Sequence, residues 1–296
     1  MCRRLMFVAA LMLLSVSSLS AQQAAPASAG SDPQLPVIVD EVPYIRTPQA
    51  VVDKMLELAE VGLDDFVVDL GSGDGRIVIT AAKERGASGF GVELMPRLVA
   101  ASNEAARKAG VADRASFFVR DLFATDLRAA TVLTMYLLPE INLALRPRLL
   151  EQLQPGTRVV SHDWDMGEWR PDDKAVISGL EKEVMPQQAS TVYLWIVPAK
   201  VAGVWRVQAE ASAAFELEFT QRFQEISGIV SREGGRSQLQ STYLRGAEVR
   251  FSVVDDVRRP AVPEQFFGRV YGDTMEGSTG SGKRWRAERV LRGIQQ

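Results

Sequence analysis

The sequence predicts an α/β fold in its central part, a mostly parallel sheet with helices on both faces, followed by an all-β region. Between residues 37 and 198, apolar strand patterns alternate with helical patterns. The strands there are continuously apolar, as expected of parallel strands that are covered on both faces. After Pro198 the segments become short and alternating and are separated by Gly, Asp or Ser. That pattern predicts a C-terminal antiparallel β-sandwich or small barrel.

The N-terminal segment is predicted to lie outside this fold. Residues 1–21 combine a basic start, a short apolar core and small residues, which is typical of a secretory signal peptide; an uncleaved anchor is the alternative. Residues 22–36 are rich in Ala, Gln, Ser and Pro, so we expect a disordered linker. The domains would then be residues 37–199 and 200–296. We therefore expect an exported protein, periplasmic or associated with the cell envelope.

The composition excludes several classes of function. Hydrophobic residues make up 46% of the chain, charged residues 24%, and the net charge is −3. The chain therefore has no overall excess of basic residues with which to bind nucleic acid or an anionic lipid surface. No later apolar run approaches the length of a membrane span. Cys2 is the only cysteine, so a cleaved chain would have no thiol, and we expect no metal site.

The elements of the α/β part follow in order. The first helix is predicted to start with Thr47 as its N-cap and Pro48 at its first helical position. Gly110 is expected to stop a later helix, and Pro147 could bend another. The predicted strands are 66–70, 88–94, 115–122, 130–138, 157–165 and 190–198, and the later helices are 76–85, 96–110 and 139–156.

The all-β region contains about seven predicted strands and no convincing helix. Aromatic and β-branched residues alternate there with polar ones, as in half-buried strands. The predicted strands are 203–210, 214–223, 225–231, 237–246, 247–256, 266–273 and 283–290.

A glycine-rich turn, "DLGSGDGR", follows the first predicted strand. Such a turn between a strand and a helix aims backbone N–H groups at a ligand, and glycine allows close approach. Arg76 stands where a dinucleotide-binding fingerprint would need its third glycine. Asp69 is awkward for a pyrophosphate but suits a ligand that carries an amino group. The loop therefore favours S-adenosylmethionine over NAD, with contacts from Asp69, Gly71, Ser72, Gly73 and Gly75.

Two further acidic residues follow the next two strands. Glu93 ends the second strand and could accept both ribose hydroxyls, and Asp121 ends the third and could receive the adenine amino group. Leu94 and Leu122 could enclose the adenine ring. Each acid also has an ordinary interpretation: Asp69 as a helix cap, Glu93 as a solvated strand end, Asp121 as a turn residue. Their order on three successive strands favours the cofactor interpretation.

The motifs "DLGSGDGR", "GVEL" and "RDLF" resemble those of class I S-adenosylmethionine-dependent methyltransferases, over roughly residues 37–198. The resemblance implies a Rossmann-like methyltransferase domain. The segment "PYIRTP" is similar to the "PYVP" segment of a group of small protein-lysine methyltransferases. This implies methyl transfer to an amine, most often a protein lysine. The signal peptide and the β-rich tail depart from that group.

Five residues are candidates for the acceptor side of such a site. Tyr44 lies in the "PYIRTP" segment, which could fold over the cofactor, and its ring could hold an ammonium group. Tyr136 ends the fourth strand, and Asp163 follows the fifth and could orient a cation. His162 and Trp164 flank Asp163, although a lone histidine is more often structural. We take Tyr44, Tyr136 and Asp163 as the catalytic candidates.

Alternative functions remain open at this point. The segment "MYLLPE" replaces the Asn/Asp-Pro-Pro-Tyr signature of enzymes that methylate amino groups of nucleic-acid bases, so we expect no nucleic-acid partner. The acceptor would be a protein or a small amine. One alternative is an exported binding module that has lost catalysis. Another is methylation of a small molecule or a lipid by the same machinery.

Overall fold

The computed structural model describes most of the chain from Tyr44 onward. All the described residues belong to one compact unit, Val37–Gln296. The predicted signal peptide and linker lie outside the described residues. The described ranges are 44–179, 189–210, 212–233, 235–254 and 263–293.

Among these residues, no helix has the length and apolar character required to cross a bilayer.

The first part of the fold alternates strands and helices, as the sequence predicts. A π-helical stretch, Ala81–Arg85, extends the second helix, and a short 3₁₀ turn, Leu122–Ala124, follows the third strand. The elements are α1 Gln49–Leu58, β1 Phe66–Leu70, α2 Arg76–Thr80, β2 Ser88–Glu93, α3 Pro96–Lys108, β3 Ala115–Val119, β4 Val132–Met135, α4 Pro139–Gln152, β5 Arg158–His162, β6 Asp173–Ile177 and β7 Ser190–Ile196.

The seven strands form one sheet in the order β3-β2-β1-β4-β5-β7-β6. The first five are parallel, and β7 runs antiparallel to both β5 and β6. Val67 packs with α1, α2 and α3 on one face, whereas Val68 packs with α4 on the other. Both faces of β1 are therefore buried, which explains its continuous apolar sequence. The predicted α/β class is confirmed.

The remaining strands form one antiparallel sheet that curls almost into a closed barrel. Its strands are β8 Gly203–Ala209, β9 Phe215–Arg222, β10 Glu225–Arg232, β11 Gly235–Gln238, β12 Gln240–Arg245, β13 Glu248–Val253, β14 Glu264–Tyr271, β15 Thr274–Thr279 and β16 Arg284–Arg292. They are arranged in the order β11-β10-β9-β8-β16-β15-β14-β13-β12. Near the seam, the Leu239 N–H donates to the Gly228 carbonyl (2.9 Å) and Thr242 Oγ1 to the Ile226 carbonyl (2.6 Å).

This closure decides between the two predicted architectures in favour of a barrel. Inward-facing aromatic side chains fill the interior, with Phe251 and Phe266 stacked at 5.0 Å between ring centroids. Trp285 meets both rings edge-on at 5.7 and 5.8 Å. Trp205 is also fully buried in the same cluster. A single sheet of this length buries its apolar face by curling on itself.

Several local predictions are wrong. The described part of the barrel has nine strands, because the 237–246 pattern divides into β11 and β12 and because β15 was not predicted. β15 has the sequence "TMEGST", in which Met275 is the only large apolar residue. β6 was also not predicted, since it is a largely exposed edge strand with little hydrophobic signal. α4 continues through Pro147, as predicted, but ends at Gln152 rather than at residue 156.

The start of α1 also differs from the prediction. The helix begins at Gln49 with Pro48 as its N-cap residue, and no side chain caps it. The predicted cap, Thr47, instead turns its hydroxyl toward His162 Nδ1 (3.4 Å), and its carbonyl accepts from Arg76 (2.7 Å). Tertiary contacts therefore use the groups that a local capping pattern would have used.

Gly89 in β2 allows a test of how closely the backbones of β1 and β2 are packed. A Cβ at Gly89 would lie 2.1 Å from the Val67 carbonyl oxygen of the neighbouring strand. We expect Gly89→Ala to lower the free energy of unfolding by about 3 kcal/mol, because backbone atoms must move apart. Urea denaturation measures this. Gly62→Ala is the control, since nothing lies within 4 Å of its Cβ, and an equal effect of both variants would contradict the explanation.

Candidate active site

The glycine loop lies at the carboxyl end of β1 and is tied to β2. Gly71, Gly73 and Gly75 have φ angles of 74°, 53° and 79°, which side-chain-bearing residues rarely adopt. The N–H groups of Gly71 and Ser72 donate to the Val92 carbonyl at 3.0 and 2.9 Å. The loop is therefore held in a conformation that requires glycine, and a Cβ at Gly71, Gly73 or Gly75 would also collide with a side chain of the fold.

Asp69, in β1, lies buried beneath this loop with a relative exposure of 2%. Its Oδ1 accepts a hydrogen bond from Thr134 Oγ1 of β4 at 2.7 Å. Burial, together with the nearby charges of Asp74 and Glu93, raises the pKa of Asp69 to about 7 against the opposing effect of the Thr134 hydrogen bond. No lysine or arginine within the described ranges forms an ion pair with Asp69. Three carboxylates thus lie close together without a cation on Asp69.

Glu93 ends β2 and connects the glycine loop to the start of α3. Its Oε2 accepts from the Gly73 N–H (3.2 Å), and its Oε1 accepts from the N–H groups of Leu94 (2.8 Å) and Met95 (3.0 Å). The Arg120 N–H, just after β3, donates to the Glu93 carbonyl at 3.1 Å. The predicted position of Glu93 at a strand end beside the loop is confirmed.

The third predicted acid lies farther along this edge. β3 ends at Val119, and Asp121 is an exposed residue that caps the following 3₁₀ turn by accepting from the Phe123 N–H at 2.8 Å. The expectation that Asp121 ends the strand itself is therefore wrong by two residues. Leu122 is half-buried against the core, while Leu94 is 58% exposed. Apolar surface thus lies on this edge, next to Glu93.

Residues 44–48 cross the glycine loop. A Cβ at Gly73 would lie 2.3 Å from Tyr44 Cε2, so the tyrosine ring rests directly on the loop. Burial and the neighbouring Asp74 charge raise the pKa of Tyr44 to about 12. Arg76 pairs with Asp74 (2.5 Å) and donates to the Thr47 carbonyl (2.7 Å). The predicted fold-over of the "PYIRTP" segment thus fits the part that is described.

Tyr136 and Asp163 meet at the carboxyl ends of β4 and β5. The Tyr136 ring lies 3.9 Å from the His162 ring between centroids, tilted by 34°. Burial and the adjacent Asp163 carboxylate raise the pKa of Tyr136, so its hydroxyl stays protonated. Asp163 has a φ of 62°, and its Oδ1 accepts from the Thr191 N–H at 2.9 Å. A strained, anchored carboxylate beside a neutral hydroxyl is typical of a functional position.

His162 is 1% exposed and bridges several elements. Its Nε2 lies 2.8 Å from Ser190 Oγ of β7, and its Nδ1 lies 3.4 Å from Thr47 Oγ1. Asp163 Oδ2 is 3.4 Å from Nε2. These contacts agree with a supporting role for the lone histidine. Trp164 is 42% exposed, and its carbonyl accepts from Asn142.

The structure brings most predicted site residues to one edge of the sheet. Sequence reasoning missed five residues that hold them: Asp74 and Arg76 inside the quoted motif, and Thr47, Thr134 and Ser190 outside it. The first pair could have been found, because Asp-x-Arg in a tight turn favours a local ion pair. The other three carry no sequence signal, since their partners are distant in the chain.

No group of three or more His, Cys, Asp or Glu side chains within the described ranges is arranged to hold a metal ion.

Comparisons with known proteins agree with this geometry. The model of the ANTKMT methyltransferase domain matches residues 69–173. A protein-lysine N-methyltransferase of Saccharolobus islandicus is 44% identical over 160 residues, which cover 54% of this chain and 96% of that protein. The adenine nucleotide translocase lysine N-methyltransferase of Mus musculus is 34% identical over 131 residues, or 44% of this chain. The match spans 57% of the mouse protein.

A solved structure is also similar to this chain. It is an RNA methyltransferase from Salinibacter ruber in complex with S-adenosyl-L-homocysteine, 52% identical, with a TM-score of 0.48. The match covers 53% of this chain and 95% of that one. The matched family domain begins at Asp69 and includes the glycine loop, Glu93, Asp121, Tyr136 and Asp163. Because the Saccharolobus islandicus relative is 44% identical and is matched over 96% of its length, the chain belongs to the S-adenosylmethionine-dependent methyltransferase family that carries the ANTKMT methyltransferase domain.

Proposed function

We propose that this protein transfers a methyl group from S-adenosylmethionine to the ε-amine of a protein lysine. The observation that carries the proposal is Asp69, a carboxylate buried beside Asp74 and Glu93 with no cationic partner among the described residues. A ligand with an ammonium group and a sulfonium charge would compensate this cluster. The family and the names of the relatives support the lysine acceptor.

The residues on the donor side fit the cofactor. Asp69 would hold the ammonium group, Glu93 the ribose hydroxyls, and Asp121 the adenine amino group, with Leu94 and Leu122 flanking the ring. Gly71, Gly73 and Gly75 would contribute the backbone of the loop that borders the cofactor, and Ser72 Oγ is buried without a hydrogen-bond partner among the described residues. S-Adenosylmethionine supplies a methyl group that is already activated by the sulfonium.

The acceptor side must present a neutral amine in line with that methyl group while excluding water. The Asp163 carboxylate can accept a hydrogen bond from the entering ammonium group and orient it. The protonated Tyr136 hydroxyl has lone pairs that can accept from the same nitrogen. The Tyr44 ring offers a cation–π surface next to the glycine loop. These roles use groups that the fold already holds in place.

We further propose that residues 1–21 direct export and that the α/β part ends near residue 199. The basic and apolar start of the chain supports the first point. The second is supported by the end of β7 at Ile196 and the start of β8 at Gly203.

Replacing Glu93 tests the donor side. We expect Glu93→Ala to weaken S-adenosylhomocysteine binding about thirtyfold, because a hydrogen bond to a charged group is worth about 2 kcal/mol. Isothermal titration calorimetry measures the affinity. Glu104→Ala is the control, since Glu104 is an exposed acid of α3 paired with Arg107. Unchanged binding by Glu93→Ala, or no binding by the unaltered protein, would contradict the proposal.

The pKa of Asp69 predicts a pH dependence of the same binding. A ligand ammonium prefers the ionised carboxylate, whose pKa is about 7 in the free protein. Affinity should therefore fall as the pH drops below 7, by about tenfold per pH unit. Calorimetry between pH 8 and pH 5 measures this, and Asp69→Asn should bind weakly and without this dependence.

The free energy of unfolding of the unliganded protein should depend on pH in the opposite direction to the ligand affinity. The unfolded chain loses the Asp69 proton near its ordinary pKa of 3.8, whereas the folded chain keeps it up to about 7. The contribution of Asp69 to the free energy of unfolding therefore decreases as the pH rises from 4 to 7. Asp69→Asn should remove this decrease in urea denaturation, and an unchanged pH profile would refute the assignment.

Replacing Tyr136 tests the acceptor side. We expect Tyr136→Phe to lower the methyl-transfer rate about a hundredfold while S-adenosylhomocysteine affinity stays unchanged, because the hydroxyl orients the amine only. The assay is transfer from labelled S-adenosylmethionine to envelope proteins, with mass spectrometry of the products, and Tyr243→Phe in β12 is the control. Methyl groups found only on RNA, lipid or small molecules, or no transfer at all, would refute the lysine acceptor.

A further inference from the structure

The barrel contacts the α/β part close to the proposed acceptor residues. Residues 222–225 form the turn between β9 and β10, which we call the docking hairpin. Residues 163–172 follow β5, begin with Asp163, and are called the acceptor loop. The matched family domain ends at residue 173, so the barrel lies beyond it.

The docking hairpin holds the acceptor loop through one aromatic and several polar contacts. The Phe223 ring stacks on Trp169, with centroids 6.1 Å apart and an interplanar angle of 18°. Arg222 pairs with Glu168 at 2.8 Å. Gln224 Nε2 donates to the carbonyl of the residue after Trp169 at 2.7 Å. Exposed ion pairs contribute little, so the ring contact carries most of this attachment.

The other side of the acceptor loop rests on α4. Arg146 donates to the Met166 carbonyl at 2.8 Å, and Asn142 donates to the Trp164 carbonyl at 3.2 Å. The Arg146 guanidinium also lies over the Phe223 ring, 5.5 Å from its centroid. The loop is therefore enclosed between a helix of the α/β part and a turn of the barrel.

Two features show that the Phe223 contact is built into the fold. Phe223 has a φ of 54°, a conformation that costs a side-chain-bearing residue about 1 kcal/mol. Trp169 is fully buried, and its indole nitrogen has no hydrogen-bond partner among the described residues. Trp195 beneath it donates to the Trp169 carbonyl at 2.7 Å. The aromatic stack must offset the backbone strain at Phe223 and the burial of the Trp169 indole N–H without a hydrogen-bond partner among the described residues.

We propose that the barrel is a positioning part of the methyl-acceptor site and that Phe223 is its positioning residue. By fixing Trp169, Phe223 sets the path of the acceptor loop back to Asp163, which faces Tyr136. This inference rests on the proposed methyl transfer to an amine. It assigns the C-terminal barrel a role in acceptor geometry, while Asp69 and Glu93, which belong to the donor side, lie outside the contact.

Phe223→Gly tests the inference without straining the turn, because glycine adopts a positive φ readily. Phe223→Trp is the rescue variant, and Phe267→Ala, an exposed ring elsewhere on the barrel, is the matched control. Three measurements apply to the full chain: hydrogen exchange of residues 163–172, S-adenosylhomocysteine affinity by calorimetry, and methyl transfer to polylysine.

We expect Phe223→Gly to speed hydrogen exchange in the acceptor loop and to lower kcat/KM for polylysine about tenfold, with S-adenosylhomocysteine affinity unchanged. Phe223→Trp should restore both properties, and Phe267→Ala should change neither. Unchanged exchange, unchanged kcat/KM, or an equal loss of cofactor affinity would overturn the inference. If the unaltered protein methylates neither polylysine nor envelope proteins, the proposed lysine acceptor fails, and the exchange data alone decide whether Phe223 holds the loop.

Discussion

The site depends on one electrostatic constraint, the burial of the Asp69 carboxylate beside two other carboxylates. Desolvation makes this charge costly, and Thr134 compensates only part of the cost. The β1–β4 pairing places Thr134 directly beside Asp69, so the core of the sheet itself holds the acid in position. A cationic ligand is the partner that the arrangement lacks, which connects the packing of the sheet to the choice of cofactor.

A second constraint connects the donor and acceptor sides. Within residues 44–48, the Tyr44 ring rests on the glycine loop, and the Thr47 carbonyl accepts a hydrogen bond from Arg76. The Thr47 hydroxyl lies near His162 Nδ1, and the His162 ring packs against the Tyr136 ring at a tilt. One short segment therefore touches the groups proposed to hold the methyl donor and those proposed to hold the acceptor. A shift of this segment would alter both sides together.

The barrel adds a third level of organisation. Its core of aromatic rings forms a cluster separate from the two clusters of the α/β part. Its β9–β10 turn nevertheless carries a strained phenylalanine that packs outside that core. Folds of this kind place ligand sites beyond the carboxyl ends of parallel strands, where loops decide the chemistry. A barrel that holds one of those loops can change the acceptor site while leaving the donor site intact.

The sequence by itself determined the α/β class, the glycine loop and the strand-end position of Glu93, because these follow from local periodicity and from glycine's access to positive φ. Only the tertiary structure decided that the β region closes into a barrel, since its seam joins strands through contacts that leave no local pattern. It also decided that Thr47 supports His162 rather than capping α1, and that Phe223 packs on Trp169. Contacts between residues distant in the chain decide such points, and a single sequence carries no signal for them.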